Sequence, residues 1–319
     1  MVTLLIAALC QAAPWVAAPD LFAQLDARRI GVDSNAAARV AEEAVVRLID
    51  PGAQILDSAG AAAFEAEQAG VSTNPPAVRD LGEGVIWLQP RVLNEAASSL
   101  VASGLVQAAA SGGGLIVDCR GVGGANLACV DAIAGHFVDP DVFLYAVQDG
   151  AGEDVELHAA PAASRAAVPV LMLIDGDTTG AAELLASLFS HPRGVLLVGS
   201  RTRGDAARRE QIPLADGRVA FLATGRFVRP DGTTWQGVGV VPHVVVSSGL
   251  DERPEIRTNV TSRLGQPLTG PARRHLELFA RVRGDAVLAR AVDLLLGLKA
   301  LAVFPENPHA DVPPAADRR

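Results

Sequence analysis

Lysine occurs once in this 319-residue chain, at Lys299, and arginine supplies the rest of the positive charge. Chemistry that needs a neutral amine therefore has one side chain to draw on. Aromatic residues make up only 4%, so any core must be built mainly from Ala, Val and Leu. Positive charge is also short overall. The net charge is -9 and the pI about 5.2, which excludes general nucleic-acid binding, since that needs a basic surface. No apolar run is long enough to span a bilayer. The three cysteines, Cys10, Cys119 and Cys129, fit no zinc spacing, and three is a poor number for a disulfide framework. Buried free thiols are expected at Cys119 and Cys129, with a disulfide between them left open. The six histidines (136, 158, 191, 243, 275, 309) show no ligand spacing, so neither a metal nor another cofactor is expected.

What the chain does have is apolar mass. Half of it is hydrophobic and the mean hydropathy is +0.27, enough for a sizeable core. Residues 1–18, within "MVTLLIAALCQAAPWVAAPD", resemble a secretory signal peptide, although the first basic residue is Arg28. A periplasmic or secreted location follows from that reading; a cytoplasmic one follows if the segment is an ordinary apolar helix. Residues 19–80 read as an N-terminal helical region, stopped by "DPG" at 50–52, and a linker, "STNPPAVRD", at 72–80. From about residue 81 the pattern becomes α/β. "GVIWLQP", "GGLIVDCRG", "VFLYAVQD", "VPVLMLID" and "RGVLLVGS" are strands, and helical stretches beginning at Asn94, Ala125 and Gly180 lie between them. "RTRGDAARRE" reads as a loop, and the DG and PDG turns beyond it suggest hairpins. Residues 251–319 read as C-terminal helices and a disordered tail.

Three segments carry chemistry. The first is "LIVDCRGVGG", a buried strand running into a glycine loop. The second is "DTTGAAELLASLF", a turn opening a helix. The third begins "LLVGSRTRGD" and runs through "QIPLADGRVAF" to "QGVGVVPHVVV". In this order the three resemble the tail-specific, or carboxy-terminal processing, serine peptidases. The resemblance covers about residues 81–250. It implies a ClpP/crotonase-like core of repeated β-β-α units. The family usually carries a peptide-binding PDZ domain before that core. Too few residues separate "IDPGAQIL" from "GVIWLQP" to hold one, so it is inferred to be absent.

Carried over residue by residue, the resemblance puts the family's nucleophilic serine at Gly180, three places before Glu183. The lysine base falls at Asp205 and the supporting glutamine at Arg209. Gly180 and Asp205 are 25 residues apart, the separation that the family's serine and lysine keep. A serine nucleophile needs an oxygen at the turn and a base to take its proton, and these positions offer neither. The oxyanion frame is matched by Gly123 and Gly124, with the N–H of Ala181 as a second donor. Val122 stands where the family has a loop asparagine, Ala125 where it has a third glycine, and His243 where it has an aspartate. Thr178 and Thr179 are read as turn residues. Arg201, Arg203, Arg208 and Arg209 form either a carboxylate-binding loop or a solvated one with Asp205 and Glu210 as internal partners.

The expected function is therefore that of a homologue without its dyad, binding an extended peptide or protein C-terminus by strand addition. Two other readings stay open. One is an active hydrolase using Thr179, Asp205 or Glu183 in an unrecognised constellation. The other is a crotonase-type acyl-thioester enzyme, whose fold also uses paired backbone N–H groups.

Overall fold

The computed structural model of the chain describes residues 34–68, 75–190, 194–246 and 270–301. The expected signal peptide and the C-terminal tail lie outside the described residues. The chain forms two compact units, each assembled from separated stretches of sequence.

The smaller unit holds residues 34–63, 148–154 and 208–226. Helix α1 (Ser34–Ile49) leads into the short strand β1 (Gln54–Leu56), and helix α2 (Ser58–Gln68) begins here. β1 pairs antiparallel with β10 (Val219–Val228), Gln54 facing Phe221. β10 also pairs with β9 (Ala207–Pro213), the two joined through the expected Asp216–Gly217 turn. The expected loop at "RTRGDAARRE" thus ends at Ala206, and its last four residues, with Arg208 and Arg209, are strand. The later PDG turn does form, Arg229 N–H donating to the Thr233 carbonyl at 2.9 Å, but no strand follows it to complete a second hairpin.

The larger unit is built on a six-stranded sheet. Its strands are β2 (Ala77–Gly82), β3 (Val85–Gln89), β4 (Gly114–Asp118), β7 (Val170–Ile174), β8 (Val195–Gly199) and β11 (Val244–Val245), in the order β11-β8-β7-β4-β3-β2. β2 and β3 are antiparallel, and the other neighbours are parallel. The linker reading of 72–80 is corrected here. Residues 77–80 belong to β2, an edge strand whose mostly exposed, charged residues give no apolar alternation to read.

Both faces of this sheet are covered, which is why its parallel strands read as unbroken apolar runs. Ile86, Leu115, Val117, Met172, Ile174 and Leu197 face one core, packed with residues of α3 (Glu95–Ala110), α4 (Leu127–Ala134) and α5 (Gly180–Phe189). Val85, Trp87, Ile116, Leu171, Leu173 and Val198 face the other, against α6 (Pro271–Val282) and α7 (Ala286–Ala300). Asn94 and Asn126 cap α3 and α4 by accepting backbone N–H groups of Ala97 and Cys129. β5 (Phe143–Asp149) and β6 (Asp154–Ala159) pair with each other. Cys119 and Cys129 are free and buried. Burial pushes the Cys129 thiol up to about 12 and also raises that of Cys119 well above the usual thiol range.

Two polar side chains fasten the strand ends. Arg120, just past β4, forms bidentate pairs with Asp118 and with Asp285, the N-cap of α7. Burial alone would weaken the guanidinium's hold on its proton, but the two carboxylates reverse that and raise its pKa. His243 accepts the N–H of Leu197 on Nδ1 at 2.9 Å, and its Nε2 lies 3.2 Å from the Ser190 carbonyl. Its role is to hold backbone.

Candidate functional site

The turn between β7 and α5 is built by its own polar side chains. Asp175 accepts the N–H groups of Gly121 and Asp177, and Thr178 Oγ1 donates to the Cys119 carbonyl at 2.9 Å. Thr178 is fully buried and also accepts the Asp175 N–H, so it is a turn residue with no freedom to act as a nucleophile. Thr179 takes the N-cap position of α5 in an extended conformation and makes no side-chain cap bond.

Gly180 begins the helix with φ at +56°, in the left-handed region that favours glycine. A β-carbon there would lie 2.4 Å from the carbonyl oxygen of Gly124. That carbonyl points into the turn. It accepts the N–H of Ala181 at 2.8 Å, while Thr179 N–H donates to the Val122 carbonyl at 3.0 Å. The glycine loop 122–124 and the start of α5 are thus joined edge to edge. On its other flank the loop is held by Leu93, whose N–H donates to the Gly123 carbonyl at 3.1 Å. The N–H of Ala181, one of the expected oxyanion donors, is consumed by the protein's own backbone.

Glu183 sits one turn further along α5, fully buried. Its carboxylate accepts from Thr202 Oγ1, from Gly204 N–H at 2.6 Å and from Asp205 N–H at 2.9 Å. Thr202 Oγ1 in turn accepts the Val240 N–H. Arg203 N–H donates to the Thr178 carbonyl. The 201–205 loop therefore adjoins the turn that holds Gly180, and Asp205 is fixed through its backbone to the same helix. Asp205 Oδ1 accepts the N–H of Ala207, and the Ala206 N–H is taken by Gln236 Oε1. Among the described residues no group of three or more His, Cys, Asp or Glu is placed to hold a metal ion.

This strand, glycine loop, turn and clamped loop all lie inside residues 93–246, which match the model of peptidase family S41. Residues 93–246 belong to that family. The chain is similar to the carboxy-terminal-processing protease of Bartonella bacilliformis, 31% identical over 85 residues, which is 27% of this chain and 20% of that protein. It is also similar to the carboxy-terminal processing protease CtpB of Bacillus subtilis, 26% identical over 133 residues, covering 42% of this chain and 28% of the relative. The chain therefore spans well under half the length of these relatives. Among solved structures, a lipoprotein from Streptococcus agalactiae superposes with a TM-score of 0.54 at 19% identity, covering 72% of this chain and 84% of that one. That likeness shows the fold.

The four arginines of 201–209 each have their own partner in the structure. Arg201 Nη1 donates to the Val238 carbonyl at 2.9 Å, and exposed Arg203 pairs with Asp177 at 3.2 Å. Arg208 and Arg209 belong to the smaller unit. Arg208 pairs with Glu210 at 3.4 Å. Arg209 is bound in a bidentate pair to Asp50, both bonds at 2.8 Å, and both side chains are largely buried. Asp50 also accepts the N–H groups of Gly52 and Ala223. Burial opposes ionisation of Asp50, but the Arg209 guanidinium and these N–H groups more than offset it and hold its carboxyl below the usual range. The sequence left Arg209 in a loop that either binds a carboxylate or is solvated; in the structure it is the counter-ion of the buried Asp50 carboxylate. Nothing local could have shown this, since its partner lies 159 positions away.

Proposed function

We propose that this chain is a member of family S41 that binds polypeptide and does not hydrolyse it. The observation that carries the reading is the Gly124 carbonyl on the Ala181 N–H. An acyl-transfer site must present free N–H donors where the oxyanion develops, beside a nucleophile with a base in reach. Here the donor is occupied, position 180 has no side chain, and position 205 offers a carboxylate where the family resemblance expects a lysine. A carboxylate near a developing oxyanion opposes its formation. The same closure weighs against a crotonase-type thioester enzyme, which also needs two free N–H groups.

The retained role is capture of an extended peptide or protein C-terminus by strand addition at the S41 core, outside the cytoplasm. The carboxy-terminal-processing proteases among the relatives support that ligand class, and the N-terminal sequence supports that location. No described helix is long and apolar enough to cross a membrane.

The test pairs two measurements on the purified chain. Incubation with unfolded, C-terminally tagged peptides should give no cleavage above a buffer control, and a fluorophosphonate should leave the turn unlabelled. Fluorescence anisotropy with the same peptides should register binding. Cleavage abolished by Thr179→Ala would overturn the proposal in favour of a threonine-dependent hydrolase.

A further inference from the structure

A cleft of about 440 Å³ lies in the larger unit, lined by Arg79, Asp80, Leu81, Trp87, Arg281 and Leu288. It opens between the β2–β3 hairpin and the junction of α6 with α7. Its volume falls in the range of small-ligand sites. None of the residues discussed for the turn at Gly180 lines it.

The floor is Trp87. Its indole is largely buried and its Nε1 donates to Asp118 Oδ2 at 3.3 Å, which fixes the ring plane. Arg79 sits opposite Trp87 in the antiparallel register of β2 and β3, so the two share a face. The Arg79 guanidinium stands over the ring, its Cζ 5.4 Å from the centroid. Across the cleft, Arg281 in the last turn of α6 donates Nη1 to the Leu81 carbonyl at 2.6 Å. Leu81 and Leu288 supply apolar wall.

Neither guanidinium is paired with a carboxylate among the described residues. The acids of this corner are committed elsewhere. Asp118 and Asp285 both bind Arg120, Asp80 Oδ1 accepts the Gly82 N–H at 2.8 Å, and Glu83 pairs with Arg274. Asp80 also lines the cleft, so its two arginines leave the lining with one positive charge in excess, in a chain of net charge -9. Each is held by one contact, over a ring or on a carbonyl, and keeps hydrogen-bonding edges for a partner. That is preorganisation: little side-chain freedom is left to lose on binding.

We infer that this cleft is a binding site for a small organic anion, a single carboxylate on an apolar body. The carboxylate would bridge Arg79 and Arg281, and the body would lie on Trp87 and Leu288. Two sources carry that chemistry: a free acyl-chain acid, and the terminal carboxylate of a short peptide ending in apolar residues. The site is independent of the proposed peptide-binding role of the S41 turn.

Isothermal titration calorimetry of the full chain tests it with four probes: decanoate, decanol, a pentapeptide ending in Leu-Ala with a free carboxylate, and its C-terminal amide. At least one acid should bind, and its uncharged counterpart should bind at least about tenfold more weakly, the scale of a lost charge-assisted hydrogen bond. Whichever acid binds identifies the source. Arg79→Gln and Arg281→Gln should each weaken that acid by a similar factor, while leaving the thermal midpoint unchanged. Leu288→Trp, which fills the cleft without altering charge, should abolish the signal. Binding of neither acid, equal binding of acid and uncharged counterpart, or affinity unmoved in both arginine variants overturns the inference.

Discussion

The carbonyl oxygen of Gly124 lies 2.8 Å from the amide nitrogen of Ala181 and occupies the space that a β-carbon on residue 180 would need. Restoring a serine at 180 is therefore more than adding a hydroxyl. Its Cβ would sit 2.4 Å from that oxygen, on a backbone with φ +56°. Gly180→Ser should destabilise the protein by about 1–3 kcal/mol, the cost of a side chain held in a sparsely populated backbone region. Gly180→Ser combined with Asp205→Lys should still show no peptide cleavage. Chemical denaturation and the cleavage assay check both halves, and robust turnover in the double variant would mean the loop opens readily.

Arg209→Ala should act on stability. It leaves Asp50 buried without its counter-ion, a loss of about 3–5 kcal/mol for a broken buried pair. Urea unfolding of the smaller unit's transition is the measurement. Arg203→Ala, whose pair with Asp177 is exposed, should move the midpoint little. Peptide binding lost in Arg209→Ala with unfolding unchanged would contradict the structural role.

Glu183→Ala should be among the most damaging single changes in the core. It removes the acceptor of the Thr202 hydroxyl and of the Gly204 and Asp205 N–H groups in a dry site. Each orphaned donor costs about 1–3 kcal/mol. A thermal melt should show the loss, and a melt like that of the wild type would indicate that water enters and satisfies the loop.

Acid should weaken the fold in a defined window. The carboxyls of Asp50 and Asp285 are both held below the ordinary range. Burial opposes their ionisation, and the guanidiniums of Arg209 and Arg120 outweigh it. A depressed folded pKa contributes stability that is complete above the unfolded value, about 3.9. That contribution is lost as pH falls through the folded one. Urea midpoints should be steady from about pH 7 to 5 on account of these groups and drop below about pH 4. Asp50→Asn and Asp285→Asn should each start lower and show a shallower drop; identical slopes in wild type and variants would assign the acid sensitivity to other carboxylates.

How much of this could be read from sequence depends on whether the information is local. "VPVLMLID" and "GLIVD" announce buried parallel strands because both faces of their sheet are covered, so every side chain is apolar. β2 is hidden because it is an edge strand with Arg79 and Asp80 near its middle, behind two prolines that suggest a linker. β6 alternates polar and apolar residues, but its apolar Val155 and Leu157 are exposed while Glu156 and His158 are the more buried, so the pattern points away from any core. The motifs locate Gly180, Glu183 and Asp205 on adjoining turns, since their order and spacing follow a known family. They do not reveal which way the Gly124 peptide faces. That orientation comes from a contact between residues nearly sixty positions apart, as does the unrelated pairing of Thr178 with Cys119, 59 positions away. Arg120 with Asp285 and Arg209 with Asp50 are likewise settled only when the chain has folded.

The carboxylate of Glu183 has a mechanical consequence. Residues 201–206 belong to no helix or strand, yet two of their amide hydrogens end on a side chain rooted in the middle of the core. A stretch that looks like coil is therefore riveted to a helix by one buried anion. Its amides at 204 and 205 cannot open without pulling that anion from its seat. In deuterated buffer they should trade their hydrogens on the slow clock of α5, while the exposed turn at 215–217 trades on a fast one.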